Sequence, residues 1–226
     1  MSEIRTESLR TRRTALVAMR GPEGDALRSV PEVWYVLHGY SMRAVPFLAD
    51  CRALDDGSRL LVAPEALSRF YEGDLTAHRN APVGASWMTR EERASEIADY
   101  LDYLDDVHAM VTARLGGATP AVTVLGFSQG GATAARWVAS GRVAAHRLIV
   151  WGSSMAPEID LVAEGSPIRR TETVFVVGAA DIYITKKVVE TETGRLRAAN
   201  FPFRLLSFDG GHRLDDNTLR EIAPAH

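Results

Sequence analysis

Three residues best equipped for chemistry lie far apart in the chain: Ser128, Asp181 and His212. Ser128 stands in Gly126-Phe-Ser-Gln-Gly-Gly131, between the β-branched run Ala121-Val-Thr-Val-Leu125 and the small residues Ala132-Thr-Ala-Ala135. A G-x-S-x-G turn from strand to helix leaves no room for side chains at its flanking positions, and it pushes the serine hydroxyl outward. A serine hydroxyl is a weak nucleophile near neutral pH, so it needs a general base held by a carboxylate. Asp181 closes Gly178-Ala-Ala-Asp181 after the apolar run Thr173 to Val177, and His212 closes Asp209-Gly-Gly-His212 after Phe203 to Phe208. The chemistry these three would perform is acyl transfer from an ester to water. Asp209 is a rival acid, but it lies only three residues before His212 in the same loop, where a bond to Nδ1 is awkward; Asp181 is therefore assigned as the acid.

Acyl transfer also needs donors for the oxyanion. The Gln129 N–H falls at a helix N-terminus, where it points at developing negative charge. A second donor is expected from Tyr40, because Gly39 in His38-Gly-Tyr40 permits the turn that aims the Tyr40 N–H into the site. His38 is assigned a structural hydrogen-bonding role beneath that loop, and Arg43 a solvated position, with contact to an anionic substrate as the alternative.

The elements that must position these residues are legible as alternating strands and helices. Short apolar runs fall at Thr14 to Met19, Val33 to Leu37, Leu60 to Ala63, Ala121 to Leu125, Leu148 to Trp151, Thr173 to Val177 and Phe203 to Phe208. Most lack polar alternation, as strands covered on both faces do. Helical patterns occupy Arg90 to Arg114, Gly130 to Ser140, Lys186 to Ala199 and Leu214 to Ile222, the first opening on Thr89 as N-cap with Glu92 three residues on. The alternation predicts a mostly parallel sheet with helices on both faces, its chemistry beyond the carboxyl ends of the strands. The longest irregular piece, Ala66 to Thr89, would supply a modest pocket rim from Phe70, Tyr71 and Trp87, with Arg69, Glu72, Asp74 and Arg79 making it too polar for a broad lipid-binding surface.

Composition removes other classes. The 226 residues are 46% hydrophobic and 24% charged, with a net charge of −3, which fits one globular domain over residues 1–226 and excludes disordered or low-complexity chains. All basic residues but Lys186 and Lys187 are arginines, scattered and matched by acids, so no nucleic-acid partner is expected. Cys51 is the only cysteine, and no metal-ligand spacing joins His78, His108 and His146; no metal and no cofactor are expected, and a reducing cytoplasm fits. No apolar run is long enough for a signal peptide or a membrane span, and no stable membrane association is expected. The expected partner is a small-molecule ester, and a homodimer is compatible with the sequence.

Together, Leu37-His-Gly-Tyr40, Gly126-Phe-Ser-Gln-Gly-Gly131, Gly178-Ala-Ala-Asp181 and Gly210-Gly-His212 resemble the phospholipase/carboxylesterase family of α/β-hydrolases, which includes acyl-protein thioesterases. The segment Ala85-Ser-Trp-Met-Thr-Arg-Glu-Glu92 is similar to the tryptophan-bearing segment before that family's long helix. The resemblance implies an α/β-hydrolase fold without a large lid, a Ser128, Asp181 and His212 triad, Tyr40 and Gln129 as backbone donors, and metal-free hydrolysis of carboxylic esters or thioesters. His38-Gly-Tyr-Ser-Met-Arg43 departs from the family's usual oxyanion loop. The function expected is a serine carboxylesterase for short to medium acyl chains; the alternative is a non-catalytic ligand-binding protein on the same fold.

Overall fold

A computed structural model describes residues 3–73 and 80–223. Seven strands form one sheet in the spatial order β1 (Val17–Arg20), β3 (Leu60–Pro64), β2 (Glu32–Leu37), β6 (Ala121–Phe127), β7 (Arg147–Trp151), β8 (Glu172–Gly178) and β9 (Arg204–Phe208). Only β1 runs antiparallel to its neighbour; every other pairing is parallel. The predicted strand runs all materialise, the first shifted to Val17–Arg20.

All six residues of β2 are buried, which accounts for its lack of polar alternation. Val33, Tyr35 and Leu37 point into one apolar layer with residues of α2 (Arg93–Leu115), α3 (Gln129–Ala139) and α4 (Lys186–Ala198). Trp34 and Val36 point into the other, against Phe47 and Leu48 of α1 (Ala44–Asp50) and Leu219 and Ile222 of α5 (Asp216–Ile222). The parallel strands therefore deliver their carboxyl ends to one edge, where the loops carrying Tyr40, Ser128, Asp181 and His212 meet. Among the described residues no helical lid covers that edge, and no helix is long and apolar enough to cross a membrane.

Two expectations fail locally. The stretch read as irregular contains an antiparallel hairpin, β4 (Ser68–Tyr71) with β5 (Val83–Ser86), in which Phe70 faces Gly84. Asp74, His78 and Arg79 of that stretch lie outside the described residues. Thr89 does not cap α2, which begins at Arg93 after a left-handed Glu92; Thr89 instead bonds to Glu96 through both its N–H and its hydroxyl.

Candidate active site

Where β6 turns into α3, Ser128 is held at φ 53° and ψ −121°, a conformation a residue with a side chain enters only under constraint. Its N–H bonds the Trp151 carbonyl at 2.9 Å and its carbonyl accepts from Gly131 N–H at 2.9 Å. The two flanking glycines are required by close approach. A Cβ on Gly126 would stand 2.1 Å from the Gly130 carbonyl oxygen, and one on Gly130 would stand 2.2 Å from that of Leu37.

The loops after β8 and β9 are stitched together by Ala179 N–H to Phe208 O and Ala180 N–H to Gly210 O, at 2.9 and 2.8 Å. That stitching brings Asp181 to His212, with Oδ2 2.7 Å from Nδ1. The other oxygen, Oδ1, accepts the N–H groups of Tyr183 and Ile184 at 2.8 and 2.9 Å. Burial pushes the Asp181 carboxyl up, but these backbone donors and His212 outweigh it and hold it below the usual carboxylate range. The His212 ring packs against Phe127 and Tyr183, each centroid 4.8 Å away. Nδ1 is engaged by Asp181, leaving Nε2 as the nitrogen able to serve a substrate or nucleophile. Ser128 Oγ makes no hydrogen bond to His212 in this structure; in unliganded hydrolases that contact commonly tightens only with substrate. Asp209 is exposed and does not bond His212.

The backbone N–H groups of Tyr40 and Gln129 have no hydrogen-bond partner among the described residues. The Gln129 N–H is one of the first-turn donors that a helix leaves free, and Gly39, beside Tyr40, abuts the Ser128 side chain, so both N–H groups are available to an acceptor near the serine. His38, fully buried, accepts Ala66 N–H on Nε2 at 3.0 Å and therefore donates from Nδ1 to the Gly39 carbonyl at 2.7 Å. Burial lowers its pKa against smaller opposing effects of Gly39 and Glu65, so it stays neutral, a structural support for the loop.

Of the expected rim residues, Phe70 is half-buried and stacks on the exposed Tyr40 ring at 5.2 Å, while Tyr71 is 53% exposed. Trp87 is a correction: it is only 2% exposed, lies over His38 at 5.3 Å, and donates its indole N–H to the His38 carbonyl at 2.8 Å. It supports the site from beneath and cannot line an open rim. Arg43 is not free in solvent either, since its Nε reaches the buried Glu65 carboxylate at 3.2 Å. A groove of about 490 Å³ borders His212, floored by Met42 and Phe127 and edged by Asp50, Arg52 and Asp216. Among the described residues no group of three or more His, Cys, Asp or Glu side chains could hold a metal ion.

Sequence reasoning did not assign the Gln129 side chain. Its Oε1 accepts Trp87 N–H at 3.0 Å, while Nε2 donates to Met88 O at 2.8 Å and to Ser86 Oγ at 3.2 Å. Because a backbone N–H can only donate, Trp87 fixes which end of the amide is oxygen.

A strained serine at a strand-to-helix turn, on a parallel sheet with a reversed first strand and helices on both faces, defines the α/β-hydrolase fold. Solved structures agree. The Zea mays acyl-protein thioesterase 2 is 16% identical over 93% of this chain and 96% of its own, with a TM-score of 0.70. Esterase PE8 is 18% identical over 92% and 96%, with a TM-score of 0.67. A phospholipase/carboxylesterase from Dyadobacter fermentans DSM 18053 is 15% identical over 93% and 95%, with a TM-score of 0.63. No curated protein sequence matches the chain. Residues 36–217 match the sequence model of the serine hydrolase (FSH1) family, and the chain belongs to that family.

Proposed function

We propose that this serine hydrolase cleaves carboxylic esters of short to medium acyl chains through an acyl-enzyme. The observation that carries the reading is the Asp181 carboxylate seated on His212 Nδ1 at 2.7 Å, beside a serine in strained backbone with two unpartnered N–H groups around it. His212 Nε2 takes the Ser128 proton as Oγ attacks the acyl carbon, and the carbonyl electrons move onto the oxygen, which the Tyr40 and Gln129 N–H groups stabilise. Collapse of this intermediate breaks the ester C–O bond, with the proton passing from His212 to the departing alcohol. Water, deprotonated by the same nitrogen, then adds to the acyl-serine and releases the acid. Asp181 keeps the imidazole in the Nδ1–H tautomer and stabilises its cationic form.

The groove bordering His212 suits the alcohol, because the leaving oxygen must face the nitrogen that protonates it. The stacked Tyr40 and Phe70 rings offer apolar wall to a chain of modest length. Thioesters present the same acyl carbon and form a second substrate class, a reading the name of the Zea mays neighbour favours. The deciding experiment is labelling with a fluorophosphonate and turnover of an activated ester such as p-nitrophenyl butyrate. Labelling at Ser128, lost in Ser128→Ala, with ester turnover, supports the reading; a native chain that neither labels nor turns over would make it a non-catalytic binding protein.

A further inference from the structure

The two unpartnered N–H groups belong to separate elements, the loop after β2 and the first turn of α3, so something must fix the distance between them. Hydrogen bonds trace a closed circuit through the β4–β5 hairpin. At the loop end, Ser41 N–H bonds Ala85 O at 2.9 Å and Ala85 N–H bonds Met42 O at 3.2 Å. The Ser41 hydroxyl bonds the Glu72 carboxylate, and the Tyr40 ring lies on Phe70, so the hairpin holds this loop by backbone, hydroxyl and ring together. Ser41 is itself held at φ 67°, a conformation that needs such external support. At the other end the Gln129 side chain bonds Ser86, the last residue of β5, and residues 87 and 88 just beyond it. Ser86 Oγ, which accepts from Gln129, also donates to Met88 O at 2.9 Å, so the receiving segment carries a hydrogen bond of its own. Trp87 closes the circuit by bonding the carbonyl of His38, the first residue of that loop.

We infer that the Gln129 side chain is a positioning residue: with the β4–β5 hairpin as splint, it sets the separation of the Tyr40 and Gln129 N–H donors. The inference rests on the esterase reading of the site. One residue thus supplies a donor through its backbone and fixes the place of the other through its side chain. Donors pre-set at the oxyanion's position need no reorganisation as charge develops, and a misplacement of about 1 Å costs on the order of 10²-fold in rate. The donors meet full negative charge only as the tetrahedral oxyanion forms, so misplacing them lowers kcat more than it raises KM.

The experiment compares wild type with Gln129→Met, which keeps the volume and the backbone N–H but none of the three bonds, and with Ser41→Ala at the far end of the circuit. On p-nitrophenyl butyrate, Gln129→Met should lower kcat by about 10- to 100-fold with KM within about twofold. Its affinity for an alkyl boronic acid, whose tetrahedral serine adduct places an oxygen in the oxyanion position, should fall by a similar factor. Ser41→Ala should show a smaller loss of the same kind, and the double variant should lose less than the product of the two. A kcat within twofold of wild type in Gln129→Met, a loss confined to KM, or full multiplicativity of the two variants overturns the inference. If Gln129→Met does not fold, Ser41→Ala decides alone by its kcat and boronate affinity. Wild-type turnover with an indifferent Gln129→Met refutes the splint and leaves the esterase reading standing; absence of wild-type turnover refutes the esterase reading itself.

Discussion

Asp181 gives one carboxylate oxygen to His212 Nδ1, at 2.7 Å, and keeps the other for the backbone of its own loop, where it receives Tyr183 and Ile184 N–H. The two duties separate in Asp181→Asn. The asparagine oxygen can still accept the loop N–H groups, but its NH₂ then faces His212 and forces the imidazole proton onto Nε2, the nitrogen that must accept from serine. Asp181→Asn should therefore lose about 10³-fold or more in kcat, slightly less than Ser128→Ala or His212→Ala, while its circular dichroism spectrum stays that of wild type. Asp209→Asn should remain near wild-type activity. An inactive Asp209→Asn beside an active Asp181→Asn would reverse the assignment.

The turn at Ser128 depends on Gly130 lying against β2. A methyl there would meet the Leu37 and His38 carbonyl oxygens at 2.2 and 2.6 Å, both backbone atoms that cannot rotate aside. Gly130→Ala should cost at least about 1–3 kcal/mol and lower Tm by several degrees, with activity falling further because the Gln129 N–H moves with it. Gly194 in α4 meets nothing within 4 Å, so Gly194→Ala should raise stability by about 0.5–1 kcal/mol. Thermal unfolding of the two variants should diverge in sign.

What the sequence makes legible is what rests on local pattern. Continuous apolar runs mark strands buried on both faces, and glycine-flanked Ser128, Asp181 and His212 sit at strand ends because tight turns demand those residue types. The hairpin was not legible, because β4 is four residues with one polar face, β5 contains Gly84, and residues 72–82 intervene where a short turn would have signalled pairing. Helix α1 was hidden likewise, seven residues long with Pro46 in its first turn, where a missing N–H costs nothing. Trp87 and the Gln129 side chain owe their roles to partners 49 and about 42 positions away, His38 and residues 86–88 respectively, and no local pattern announces a contact across that distance.

Several carboxylates, Glu65, Asp102, Glu158 and Glu172, are held below the usual range by arginines. Burial pushes Glu158 up, but the Arg136 guanidinium at 2.6 Å, with Arg93 at 3.1 Å, outweighs it and brings the pKa down from 4.5 to about 2. The unfolded chain takes up that proton at a higher pH than the folded chain does. Stability from the pair is thus complete above about pH 4.5 and is lost as pH falls toward 2. Tm should decline through this window, and Glu158→Gln should be less stable than wild type at pH 7 with a shallower decline below pH 4.5. Parallel curves for the two proteins would show that the pair carries no such linkage.

Catalysis should follow its own pH dependence, set by the requirement that His212 be neutral to accept the Ser128 proton. On free enzyme, kcat/KM should rise with pH along a limb of slope one. Chelators should leave it unchanged, since each step assigned to the site is carried by Ser128, His212, Asp181 and two backbone N–H groups. Activity removed by a chelator and restored by a divalent ion would sink the mechanism.

Acyl preference should be readable at Phe70. Its ring is half-buried and stacks on that of Tyr40 at 5.2 Å, the residue whose N–H is assigned as an oxyanion donor. On the proposed esterase reading the acyl chain runs along that wall, and each methylene that reaches it gains about 0.8 kcal/mol, or about fourfold in kcat/KM. Rates on p-nitrophenyl esters should therefore climb from acetate to medium chains and fall once the wall ends. Phe70→Ala removes wall and also loosens the Tyr40 ring, so absolute rates alone would confuse binding with catalysis. The ratio of hexanoate to acetate cancels any loss common to both, and that ratio should drop by at least the fourfold worth of one methylene. With no helical lid among the described residues to open at an interface, the rate should show no jump when the ester exceeds its solubility limit. A hexanoate to acetate ratio unchanged in Phe70→Ala would place the acyl chain elsewhere on the strand ends, and a jump at the solubility limit would mean that the exposed Tyr40 and Tyr71 dock on lipid.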